Sequence, residues 1–314
     1  MLKSSLNWMF AIATFSLTAC PAQSVQGRDP SGIDHRIEAA IQNFPGKVSL
    51  YAKNLDTGAT YQLRGDAPVT TASTIKLPIM VELFAQAEAG KLDWNQKLIL
   101  TDQDKVQGTG VLTEFSAGDT LPIRDLMHLM IVVSDNTATN LILDRIGGNA
   151  VNARMAQLGL TQTAVMRKIM QAKNMAGITE AGSLPGNEQW GIGRSSPRDM
   201  VVLLEKLYRG ELVSKAASDE MLTVLKRQRD HDGAGRDMNN TVIASKAGAL
   251  DHLRSDVAII YSLHGPVAMA VTVNNIPEVN YGADNPGNLL ISRLSDILVE
   301  ELAPPPTTAQ PQKK

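Results

Sequence analysis

Cysteine is almost missing from this chain: its 314 residues contain one, Cys20. A disulfide framework needs a pair, and a thiol nucleophile needs a cysteine inside the folded part, so both are excluded. Nor is charge of one sign in excess. Thirty Lys and Arg against 32 Asp and Glu leave a formal charge of −2. That gives no basic stripe for nucleic acid and no charge block for a polyelectrolyte partner. The histidines (His35, His128, His231, His252 and His264) are scattered, with none at metal-ligand spacing, so no metal or other cofactor is expected. There is no G-x-S-x-G, no phosphate loop and no internal repeat. The apolar segment from Trp8 to Ala19 is too short to span a bilayer.

What that segment does fit, after Lys3, is the central region of a secretory signal over residues 1–19. It ends in LTAC, which resembles a bacterial lipobox and implies cleavage before Cys20 and acylation of that cysteine. The alternative is a plain signal cut near Ala22. Either way, export to the periplasm is expected, with membrane contact only through a lipid on Cys20. Residues 20–32 read as a linker, and the tail at 303–314 (APPPTTAQPQKK) has too little apolar surface to pack. Residues 33–302 are left for one folded domain of ordinary globular composition, 43% hydrophobic and 20% charged, expected to be a monomer.

Within that span IDHRIEAAIQNF has helical spacing at Ile33, Ile37, Ile41 and Phe44. KVSLYAKNLDTGATYQLRG alternates and turns at Asp56-Thr57-Gly58, the pattern of a β-hairpin. The middle reads as helices: one from Ser73 to near Gly90, then IRDLMHLMIVV, NLILDRIG and PRDMVVLLEKLYRG, the last capped by Ser196 with Pro197 in first position. Strands return at TVIASK, DVAIIYSLHG and PVAMAVTVNN, and GNLLISRLSDILVEEL closes as a helix. The expected fold is α/β. An antiparallel sheet is built from both ends of the chain, flanked by the terminal helices, with a mostly helical second lobe and a cleft at the seam.

Chemistry enters at TASTIKLPIM, residues 71 to 80. Ser73 and Lys76 are one helical turn apart and share a face. A lysine can take a serine proton only if its pKa falls from about 10.4, which burial or a second cation can bring about. The plain alternative is a first-turn serine followed by a snorkelling surface lysine. Pro78 inside the same run predicts a local kink. Ser134-Asp135-Asn136 lies between two apolar helical runs and taken singly is a helix N-cap cluster. Lys246-Ala247-Gly248, taken singly, is a strand end with a glycine turn.

In this order S-x-x-K, S-D-N and K-x-G resemble the signature set of class A β-lactamases and penicillin-binding proteins. The resemblance, to the class A β-lactamase family and the related D-alanyl-D-alanine peptidases, spans about residues 33 to 302. It implies that Ser73 is acylated, that Lys76 takes its proton and that Ser134 passes a proton to the leaving nitrogen. It further implies that Asn136 holds the substrate amide and that Lys246 binds the substrate carboxylate. Gly248 and Ala249 would line the substrate strand, with the N–H groups of Ser73 and Ala249 forming the oxyanion hole. Arg254 stands where the family often has a second carboxylate-binding group; otherwise it is a strand-end surface arginine. The implied substrate is a β-lactam, or the D-Ala-D-Ala end of a peptide.

Two departures qualify this. Ala247 replaces the usual hydroxyl residue of the third motif, which removes one substrate hydrogen bond worth about 0.5–1.5 kcal/mol. The E-x-x-L-N glutamate that activates the deacylating water in class A enzymes is not legible: between Leu158 and Pro197 the only glutamates are Glu180 and Glu188. Each is by default a solvated loop carboxylate. A β-lactam hydrolase is thus the leading expectation, beside a slowly deacylating DD-peptidase and a binding protein without turnover.

Overall fold

The computed structural model describes residues 32–170 and 177–305. The signal segment, Cys20, nearly all of the linker and most of the tail lie outside the described residues. In chain order the elements are α1 (Ile33–Ile41), β1 (Lys47–Asn54), β2 (Thr60–Leu63), β3 (Val69–Thr70) and α2 (Lys76–Glu88). There follow β4 (Lys97–Ile99), β5 (Thr120–Pro122), α3 (Ile123–Val132), α4 (Asn136–Ile146) and α5 (Gly148–Gln157). Next come β6 (Ala164–Val165), β7 (Gly193–Ser195), α6 (Pro197–Arg209) and α7 (Lys215–Leu225). The last are β8 (Val242–Leu250), β9 (Leu253–Ser262), β10 (Gly265–Asn274) and α8 (Pro286–Leu302).

The main sheet has the order β2-β1-β10-β9-β8, antiparallel throughout, so strands from the two chain ends meet at β1 and β10. The first hairpin turns where the sequence places it. Asn54 Oδ1 accepts the N–H groups of Asp56 and Thr57, and Gly58 takes φ +77°, open to glycine without a Cβ penalty. Both sheet faces are covered. Val257 and Ile259 point to the core shared with the helical lobe, while Ala258 and Ile260 point to α1 and α8. Burial on both sides explains why β9 and β10 read as nearly continuous apolar runs. α8 presents Leu290, Ile291, Leu294, Ile297 and Leu298 to the sheet at helical spacing.

α2 is the central helix of the second lobe, buried at every residue from Lys76 to Ala85. It does not start at Ser73: a 3-10 turn over Ala72–Ile75 precedes it, and the α-helix begins at Lys76. Pro78 therefore falls in the first α-helical turn, where a missing N–H is best tolerated. The irregular backbone lies before the proline, and the α-helix runs unbroken through it to Glu88. Around α2 the lobe is less purely helical than expected, because β3, β7 and β6 form a small sheet and β4 pairs with β5. The cap of α6 is as read: Ser196 Oγ accepts the Asp199 N–H at 3.1 Å behind Pro197, and Gly210 ends the helix in the left-handed region.

Leu294 is fully buried in α8 and Leu289 of the same helix is 45% exposed. Leu294→Ala is expected to cost about 2–5 kcal/mol through the cavity it leaves. Leu289→Ala should stay within about 0.5 kcal/mol. Urea unfolding of the two variants checks the contrast.

Candidate active site

Where the sheet meets the helical lobe there is a cavity of about 660 Å³. Ser73, Ser134, Asn136, Ala247 and Gly248, from the three sequence motifs, and the adjoining Ala249 all line it. The 3-10 turn brings Ser73 to the wall, and Ala72 beside it holds φ +47°. Ser134 holds φ +56° between α3 and α4. Left-handed backbone at non-glycine residues costs on the order of 1–3 kcal/mol and persists only where the surroundings impose it.

Asp135 imposes it at Ser134. It is the N-cap of α4, its Oδ1 accepting the Ala138 N–H at 2.8 Å. Its Oδ2 accepts the N–H groups of Val111 (2.6 Å) and Leu112 (2.9 Å). The segment Gln107-Gly108-Thr109-Gly110 is thereby bound to the second motif. Thr109 Oγ1 donates to the Ser134 carbonyl at 2.7 Å, and Asn136 Nδ2 donates to the Gln107 carbonyl at 3.1 Å. Asp135 plays the capping role that its type suggests, and that same role presents Ser134 and Asn136 to the cavity.

Lys76 is wholly buried, and its Nζ donates to Ser134 O (2.7 Å), Ser134 Oγ (3.1 Å) and Asn136 Oδ1 (3.0 Å). The snorkelling alternative is therefore wrong: this amine has no path to water. The expected direct pairing with Ser73 is not formed either, since among the described residues Ser73 Oγ makes no hydrogen bond and the lysine reaches Ser134 instead. Burial lowers the Lys76 pKa well below its ordinary value, and the Lys246 charge lowers it further against Asp135. Lys246 is also buried, donates to the Ala247 carbonyl at 2.7 Å, and is brought to about 8 by burial, with Asp230 and Asp256 opposing. The second cation thus lowers Lys76, while on Lys246 the more distant Asp230 and Asp256 charges resist the fall.

The third motif is not a strand end with a turn. β8 continues through Gly248 to Leu250, paired with β9 as Gly248 with Ser255. A Cβ at Gly248 would stand 2.9 Å from Ser73 N and 3.0 Å from Thr71 O, both backbone atoms that cannot yield. Glycine is required because the strand passes directly against the 3-10 turn.

Arg254 is kept out of this cavity. Its guanidinium donates to the carbonyls of Leu250 and Leu253 at 2.6 Å and of Asn280, and lies over the Tyr281 ring. It is 3% exposed, so the strand-end surface reading is wrong as well. Neither Glu180 nor Glu188 lines the cavity. Glu180 accepts from Asn149 Nδ2 at 3.2 Å, and Glu188 is exposed in a 3-10 turn. The loop after α5 offers Ile169 in their place, with its N–H and carbonyl both bound by the Asn140 side chain. Sequence reading also missed Thr109, Asn140 and Asp230, the last being the cavity's lining carboxylate among the described residues. The glycines around Thr109 and a polar residue within α4 were their only trace in the sequence. Among the described residues no group of His, Cys, Asp or Glu could hold a metal.

A family model described as the β-lactamase enzyme family matches residues 32–302. The chain belongs to that family. β-Lactamase AER-1 of Aeromonas hydrophila is 25% identical, over 96% of this chain and 98% of its own. A β-lactamase structure from Sphaerobacter thermophilus superimposes with a TM-score of 0.76 at 28% identity, covering 89% of this chain and 100% of its own. The structure of PBP-A gives 0.70 at 26% identity, over 85% of this chain and 94% of its own. The family fold, a mixed α/β arrangement about an antiparallel sheet, is the one described above.

A lysine whose folded pKa of about 8 lies below its unfolded value of about 10.5 destabilises the fold at neutral pH. The cost is full below pH 8 and fades as pH climbs toward 10.5. Lys246→Met should therefore be more stable than the wild type at pH 7, by on the order of 3 kcal/mol at most. The gain should shrink by pH 10. Tm measured across this range tests it, and a gain that grows with pH would contradict the assignment.

Proposed function

We propose that this member of the β-lactamase family is a serine hydrolase that opens β-lactams through an acyl-enzyme at Ser73. The observation that carries the reading is the buried amine of Lys76, bonded to Ser134 and Asn136 behind a cavity that Ser73 lines. In its neutral form Lys76 accepts a proton. On acylation Ser73 Oγ gives its proton to the amine, a contact the resting geometry does not make, and Ser134, bonded to the amine, passes one to the departing nitrogen. The Ser73 and Ala249 N–H groups stabilise the oxyanion as the carbonyl carbon becomes tetrahedral. Asn136 positions the substrate amide and Lys246 attracts the carboxylate. Arg254 serves this end of the site indirectly, by fixing Leu250 and Asn280. The chain is proposed to act after export, anchored or released according to whether Cys20 is acylated.

Release of the acyl group is the slow step in this proposal. Ile169 stands on the loop where a class A glutamate is expected, and no glutamate of that loop reaches the cavity. The same observation favours a second reading, a penicillin-binding D-alanyl-D-alanine carboxypeptidase. PBP-A is a related structure, and an L158E mutant of it is known as an acyl-enzyme with penicillin G at 25% identity to this chain. The β-lactamase relatives support the first reading.

Mixing the mature protein with a chromogenic cephalosporin and following both mass and turnover separates the outcomes. Sustained hydrolysis is expected under the first reading. A persistent Ser73 adduct, with D-alanine released from a peptide, belongs to the second. No adduct at all would end both.

Lys76→Ala should slow acylation by about 10²–10⁴-fold, as removal of a general base does. Its far-UV spectrum should stay unchanged. Ile169→Glu should raise deacylation by about 10²-fold, with acylation altered much less, because it adds a carboxylate at the cavity wall. Single-turnover mass spectrometry resolves the two steps for both variants.

A further inference from the structure

Behind β8, on the sheet face that carries α8, lies a second cavity of about 50 Å³. Asp230, Gly248 and Ala249 border both this space and the active-site cavity, so β8 and the Asp230 loop form the partition. Asp256 lines the rear space and is 2% exposed. Its cross-strand partner is Ala247, the residue next to Lys246. Asp256 Oδ2 accepts the Ala234 N–H at 2.9 Å. Oδ1 has no hydrogen-bond partner among the described residues. A buried carboxyl oxygen left without a donor is unfavourable, so its retention in the middle of the sheet calls for a reason. The space is large enough for a water to reach Oδ1.

The charged groups around Asp256 are few. Asp230 and Asp232 approach from the loop before β8, Lys246 from β8 itself and Arg254 from β9, while α8 contributes Asn288 and Ile291 without charge. Arg254 is committed to three backbone carbonyls. Lys246 has no carboxylate within ion-pair distance among the described residues, yet it must stay cationic to attract an anionic substrate.

We propose that Asp256 is a positioning residue that sustains the ammonium of Lys246 from behind β8, with Asp230 doing so from the front. Its carboxyl is pushed up to about 7 by burial, with Asp230 adding to this and Ala234 N–H, Lys246 and Val257 N–H opposing it. Below that pH the rear group is neutral and Lys246 holds its proton unaided. Above it, the negative charge behind β8 opposes the burial that lowers Lys246, whose value of about 8 already includes this support. The two buried groups hand over across neutral pH, which extends substrate attraction toward the alkaline side. This role in turnover rests on the acyl-enzyme reading above.

Asp256→Asn keeps the shape and cannot ionise. The rate of Ser73 acylation by a penicillin should be unchanged at pH 6, where the native carboxyl is neutral. At pH 8 it should fall about fivefold, as the alkaline limb moves down by about one pH unit. The loss should appear in KM more than in kcat. In protein carrying ¹³C-labelled lysine, the Lys246 side-chain signal should titrate at lower pH in the variant. Equal losses at pH 6 and pH 8 would reveal a merely structural residue, and no loss with an unmoved Lys246 titration would overturn the proposal. If the wild type forms no adduct, the acyl-enzyme reading falls and the Lys246 titration decides this one alone. If the variant does not fold, the wild-type signal answers: it must respond to a group titrating near 7 before Lys246 loses its own proton, and a single step would refute the coupling.

Discussion

An amine with no access to water joins the pieces of this protein. Lys76 is the first residue of the central helix, and each hydrogen bond of its amine crosses to Ser134 or to Asn136 at the start of α4. Burying an ammonium is tolerable only where acceptors replace water. The backbone at Ser134 is bent into the left-handed region so that its carbonyl and hydroxyl both face Nζ. That bend is held by Asp135, whose carboxylate binds three N–H groups on two segments. Satisfying one charge has therefore shaped two loops and one helix cap, and the cavity is what those loops enclose.

The electrostatic arrangement works against stability and for chemistry. Among the described residues neither buried lysine has a carboxylate within ion-pair distance, and burial lowers the basicity of both. A core of apolar residues at the same positions would be the more stable solution. Strain at Ala72 and Ser134 adds to the same side. The double-sided hydrophobic packing of the main sheet and the buried length of α2 offset these costs. The difficult groups are clustered on three short segments, each fixed to a rigid element.

Much of the site was legible before the fold was known. Ser73, Lys76, Ser134, Asn136 and Lys246 come from local spacing, and their order along the chain gave the resemblance. The sheet's strands were legible because β-branched runs and the Asp56-Thr57-Gly58 turn are local signals, and Ser196 with Pro197 marked a helix start. What was not legible depends on contacts between distant segments. The 3-10 turn under Ser73 is set by β8 passing at Gly248, 175 positions later. Thr109 matters only because Asp135 binds its neighbours. Arg254 has the composition of a substrate-binding group, yet its donors meet carbonyls of loops that no periodicity could place beside it. The five short strands of the helical lobe, two or three residues each, are below the length at which alternation can be recognised.

The pairing of β1 with β10 has a consequence for how the molecule comes into being. The first strand made has to wait, single-edged, until more than two hundred residues have been synthesised before its central neighbour arrives. At about 5–20 residues per second, that interval is ten seconds or more. Helices of the second lobe can gather earlier from local contacts, but the wall bearing Lys246 and Gly248 cannot. Reactivity would be the last property acquired on the way to the native state, absent from every incomplete chain.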